Sequence, residues 1–91
     1  MIEAELRYAN FSAGNLSVAN LLDANLTGAV MLEADLRGAN LTGANMKEAN
    51  LRQANLKRAV LRGATLDFAD LQGAKFCNTI MPNGDTAIKD C

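Results

Sequence analysis

The chain has 91 residues, 49% of them hydrophobic and 21% charged, which fits one small domain rather than a disordered tail. The net charge of −1 excludes a globally basic nucleic-acid binder and a strongly acidic DNA mimic. The chain has no His and no Trp, so the commonest general base and metal ligand is missing and aromatic bulk for a core is scarce.

Only three residues, Met1 to Glu3, precede the first regular unit. They lack the basic and apolar regions of a signal peptide, and no later stretch approaches the roughly 18 apolar residues of a membrane span. The expected compartment is therefore the cytoplasm, with no membrane partner.

From Ala4 the chain divides into fives: AELRY, ANFSA, GNLSV, ANLLD, and so on to TIMPN at Asn83. This frame holds for 16 pentads without a slip. The third position is always apolar: Leu6, Phe11, Leu16, Leu21, Leu26, Met31, Leu36, Leu41, Met46, Leu51, Leu56, Leu61, Leu66, Leu71, Phe76 and Met81. The first is Ala except at Gly14, read as a small-residue swap, and Thr79; the second is Asn or Asp in ten pentads. An α-helix turns about 100° per residue, so a five-residue step leaves an offset of about 140° and the Leu positions define no face. Helix is rejected despite the helix propensity of Ala and Leu. Apolar first and third positions around a polar second are strand alternation, three residues long. The last two residues of each pentad must then turn the chain, because a straight strand would throw the next Leu outward. Repeated bends of one hand wind the chain into coils stacked about 4.8 Å apart. The Asn column is expected to be a structural feature of that stack rather than a binding ladder.

The A-[DN]-L-x-x unit over Ala4 to Asn83 resembles the pentapeptide-repeat family. The resemblance implies an all-β fold: a right-handed quadrilateral β-helix, or solenoid, with four pentads per coil. On that basis four coils are expected, at 4–23, 24–43, 44–63 and 64–83, after a leader at 1–3 and before a tail at 84–91. Phe11 and Phe76 are read as plugs for the looser end coils, and Leu22, Leu32 and Phe68 as outward. Val60 and Ile80, 20 residues apart, should be neighbours on one side and stack into a small exposed apolar strip. The first coil has no capping element, which exposes the rims of Leu6, Phe11, Leu16 and Leu21 and suggests a homodimer through that end.

In the tail, Pro82, which cannot donate to a ladder, is expected to stop the β-helix, and Ile88 to fold back over the last coil. The run from Cys77 to Gly84 resembles the Cys-Asn-Thr-x-Met-Pro-x-Gly ending of cyanobacterial pentapeptide-repeat proteins. Cys77 has no core role at an outward position, and the Pro-Gly turn can bring Cys91 toward it, so the two are a candidate disulfide. Such a bridge would point to the periplasm or the thylakoid lumen rather than a reducing cytoplasm.

No catalytic motif is present, and the carboxylates Glu33, Asp35, Asp67 and Asp70 stand outward on a convex rod without a pocket. Neither an enzyme nor a cofactor is expected. The charge is uneven: the third coil carries Lys47, Arg52, Lys57, Arg58 and Arg62 against Glu48, and Arg37 precedes Lys57 by 20 residues. These six cations are the candidate docking patch for an acidic partner; without interleaved aromatics, nucleic acid is the weaker reading. The expected role is a non-catalytic module presenting flat faces to a protein partner. The resemblance also implies two alternatives: a repeat domain appended to a larger signalling protein, and a DNA-mimicking gyrase binder, which the charge and length disfavour.

Overall fold

A computed structural model describes residues 3–88, and it is a rod of stacked coils, 31 × 24 × 22 Å in its principal extents. The number of sides follows from the pairing register. Each second-position residue pairs in parallel with the one 20 residues later, from Glu5 with Asn25 to Val60 with Ile80. Twenty residues per coil are four pentads, so the coils are those expected from the sequence.

One central pentad shows why the repeat needs these residue types. Asn45 N–H donates to the Ala24 carbonyl in the coil below at 2.9 Å. Met46 and Glu48 N–H donate upward to the Thr65 and Asp67 carbonyls, both at 2.8 Å. Ala49 N–H closes the turn on the Met46 carbonyl at 3.0 Å. That leaves Lys47 N–H, which donates to Asn45 Oδ1 at 3.1 Å. The side chain at position two thus accepts from the one backbone donor that neither ladder nor turn can satisfy. All ten Asn and Asp residues at this position make the same bond. Where Val30 and Val60 replace them, the orphan donor belongs to an exposed residue, Leu32 or Arg62. Where Ile80 replaces them, the residue is Pro82, which has no N–H to satisfy.

Asn45→Ala should therefore cost about 0.5–1.5 kcal/mol, whereas Lys47→Ala, which removes no such bond, should cost nothing measurable. Thermal melts of the two variants check this.

Each corner is a turn whose second central residue is left-handed. Every fifth residue from Glu3 to Asn78 has φ between 52° and 75°. With a single positive φ and a closing bond such as Ala9 N–H to the Leu6 carbonyl at 3.1 Å, these are type II turns. Only five of these corners are Gly. At Gly43, where φ is +70°, a side chain would be strained and its Cβ would push the exposed Asp23 carboxylate aside. Gly14, outside the corners, is also more than a small-residue swap: a Cβ there would lie 2.9 Å from the Phe11 carbonyl oxygen.

All sixteen third-position side chains point into the core. Those of coils two and three are sealed, with Leu36, Leu41, Leu51 and Leu56 at 0% exposure. At the ends Leu6, Phe11, Leu16, Leu66, Leu71 and Met81 are half-buried. Leu21, expected on the open rim, is instead buried. On its side the chain enters the stack, with Glu3 N–H donating to the Leu22 carbonyl at 2.7 Å. Phe76 is buried as a plug, and Thr79 in place of Ala is buried with its hydroxyl donating to the Leu56 carbonyl at 2.6 Å.

Of the two expectations for the tail, one is met and one is corrected. The parallel coils end at Pro82, as expected, although its carbonyl still accepts from Gly63 N–H at 2.9 Å, because a proline lacks only the donor. Beyond it the chain reverses. Strand β1, Thr79–Ile80, pairs antiparallel with β2, Thr86–Ala87, through Thr79↔Ala87 and Ile80↔Thr86. Strand β2 lies where a fifth coil would continue that side. Ala87 packs against the core, while Ile88 is 67% exposed and does not fold over the last coil.

Candidate interaction surface

The 20-residue register sorts every outward residue into one of four columns. The column of pentads 14–18, 34–38, 54–58 and 74–78 holds Arg37, Lys57, Arg58 and Lys75, with Asp35 its only carboxylate. The structure thus brings together three of the six residues expected as a docking patch. Lys47, Arg52 and Arg62 each fall in a different column of the third coil. They encircle the rod and form no patch with the others, because successive pentads of one coil occupy successive sides. Lys75 joins the basic column although it was not among the six.

Asp35 and Arg37 are locked together. The guanidinium bonds both carboxylate oxygens, Nε to Oδ1 at 2.9 Å and Nη2 to Oδ2 at 2.8 Å. Arg37 N–H also donates to Oδ1, at 3.1 Å. The side-chain hydrogen bonds from Arg37 come first in holding the Asp35 carboxyl below its usual range, with the backbone donor next. Arg52 approaches Asp70 at 3.7 Å, and Arg7 pairs with Glu5 at 2.9 Å. Among the described residues Lys57, Arg58 and Lys75 have no carboxylate partner.

This column also carries an open groove of about 420 Å³ lined by Ser17, Val18, Arg37, Gly38 and Arg58. Gly38 makes its floor: a Cβ there would come within 3.1 Å of Val18 Cγ1. Val18 itself is 79% exposed. The aromatic residues Tyr8 and Phe68, also exposed, share a different column. Val60 and Ile80 are paired neighbours, as expected, but half-buried rather than an exposed strip.

Among the described residues there is no group of three or more His, Cys, Asp or Glu placed to hold a metal ion. No helix there is long and apolar enough to cross a membrane. Cys77 is half-buried in the basic column; its expected partner Cys91 lies outside the described residues.

The comparisons with known proteins agree with this geometry. A family model for pentapeptide repeats matches residues 4–43 and 44–81 in 8 copies. No curated protein matches the chain. Among solved structures, a pentapeptide repeat protein from the cyanobacterium Cyanothece is 37% identical, with a TM-score of 0.60 over 86% of this chain and 57% of its own. One from the cyanobacterium Nostoc is 33% identical, with a TM-score of 0.52 over 78% of this chain and 63% of its own. A third, from the thylakoid lumen of Arabidopsis thaliana, is 25% identical, with a TM-score of 0.52 over 84% and 63%. The chain spans 57–63% of the length of these three structures. A repeat unit matched along nearly the whole frame, a 20-residue coil and these structural likenesses together show that the chain belongs to the pentapeptide repeat family, whose members are right-handed quadrilateral β-helices.

Proposed function

We propose that the chain is a rigid, non-catalytic interaction module whose flat sides are presented to a protein partner. The observation that carries this reading is the separation between fold and surface. Core and ladder consume the first and third positions and the backbone, as in the pentad from Asn45 to Ala49. Positions four and five of each pentad are left outward, held at a fixed spacing on a stiff frame. Such a frame displays side chains without closing around a substrate, since its groove beside Arg37 and Arg58 is open.

The test is a set of four variants, each reversing the outward charges of one column, used to capture a partner from the source organism. All four should keep the β-type circular dichroism of the parent, and one should lose the partner. Equal loss from all four, or a variant set that unfolds, would sink the reading. A second reading, a repeat domain within a larger protein, draws on the greater length of the structural relatives, of which the chain spans as little as 57%; the length of the native gene decides it.

A further inference from the structure

We propose that the groove at Ser17, Val18, Arg37, Gly38 and Arg58 docks an acidic protein segment that carries an apolar side chain beside its carboxylates. This rests on the reading of the chain as a protein-interaction module and names the side and the chemistry. Three independent features converge there.

The first is charge. Four cations share the column with one carboxylate, and that carboxylate is already bonded in bidentate fashion to Arg37. Lys57, Arg58 and Lys75 have no such partner among the described residues, although the chain as a whole is at −1. A local excess of one sign on a near-neutral rod orients an oppositely charged partner. The second is shape. Gly38 removes the side chain that would otherwise fill the space between Val18 and Arg58, and so opens the groove.

The third is Val18. It is the one β-branched residue among the left-handed corners, with φ of 52°. That conformation is a strained outlier for a β-branched side chain, and Asn or Gly would hold the turn more comfortably. Yet Val18 is 79% exposed, so the fold gains little burial from it. An apolar side chain held at a cost, in the open, beside two guanidinium groups is suited to a contact made with a partner. The pairing of apolar and cationic groups selects a peptide over a nucleic acid. No aromatic side chain lines the groove for bases to stack on, Tyr8 and Phe68 being on another column.

The probe is a fluorescein-labelled synthetic peptide of Glu-Leu pairs spaced by Gly and Ser, read by anisotropy at low salt. The Arg37→Glu, Lys57→Glu, Arg58→Glu triple variant should weaken binding about tenfold or more, equivalent to about 1.4 kcal/mol. The Lys47→Glu, Arg52→Glu, Arg62→Glu triple changes the net charge equally and should leave the affinity within about twofold, because those residues lie in other columns. Val18→Asn should weaken binding severalfold while raising Tm by roughly 4 °C, since it relieves strain and removes the apolar contact together. Circular dichroism of each variant confirms the fold.

Equal losses from the two triples would show general electrostatics and overturn the site. So would a Val18→Asn variant that binds as well as the parent and melts lower. Tighter binding of a single-stranded oligonucleotide at the same groove would replace the peptide by nucleic acid and equally overturn it. If the parent ignores the peptide but still captures a protein through another column, this proposal fails and the module reading stands; if no column captures a protein, both fail.

Discussion

Leu41→Ala should destabilise the rod by about 2–5 kcal/mol, from the lost transfer energy of the side chain and the cavity it leaves. Leu41 is fully buried, and the register places it between Leu21 and Leu61 in the adjacent coils, both also buried. The coils cannot close over the gap, because their spacing is held by ladder bonds such as Leu41 N–H to the Val60 carbonyl at 2.7 Å and Leu21 N–H to the Asn40 carbonyl at 2.8 Å. A small domain commonly has about 5–15 kcal/mol in total, so one substitution removes a large share of it. The midpoint of thermal unfolding should fall by roughly 10 °C or more. Leu6→Ala removes the same atoms from a half-buried rim residue, where water already reaches the side chain, and should cost less than half as much. Equal losses at Leu6 and Leu41 would mean that the sealed centre described here is wrong.

Ala44→Leu should be damaging in the opposite sense, by excess volume. Ala44 has no exposure, and the register stacks it between Ala24 and Ala64. Its N–H closes a turn on the Leu41 carbonyl at 3.0 Å, and its own carbonyl accepts from Thr65 at 2.9 Å. Three added carbons at a fully buried site bonded both along the chain and between coils must displace packed neighbours. Overpacking costs typically about 1–3 kcal/mol, and here the upper end is expected, because relief requires breaking the turn bond or the ladder bond that holds Ala44. Denaturant unfolding measures it, with Lys47→Leu as the control, since Lys47 belongs to the same pentad but is exposed. Comparable destabilisation by both would show that position one is not the tight layer.

Sequence and tertiary structure divided the determination of this protein along a physical line. The pentad, its strand-and-turn character, the sixteen core centres and the structural role of the Asn column are legible in the residues alone. Each unit meets nearly the same surroundings, so a local pattern repeats faithfully wherever the environment repeats. Ala4-Glu5-Leu6 already states what Ala64-Thr65-Leu66 restates. The number of sides is different, because it depends on which distant residue closes the coil. Only the pairing of Glu5 with Asn25, and of every later residue in step, shows that the coil closes after four pentads. The same long-range step decides the surface. Counting charges coil by coil brings Lys47, Arg52 and Arg62 together with Lys57 and Arg58, although stacking sends the first three to other sides. It also hides Lys75, whose link to the basic column is its position 20 residues after Asn55. The ends escaped for a related reason. Leu21 is buried because Glu3 pairs beside it, and the Pro82 carbonyl still accepts from Gly63 although the parallel coils end there. Neither fact is local to the residue concerned. The left-handed conformation of Val18 is likewise imposed by the turn that every corner must make, and only in the folded stack does it place a strained, exposed apolar side chain beside Arg37 and Arg58.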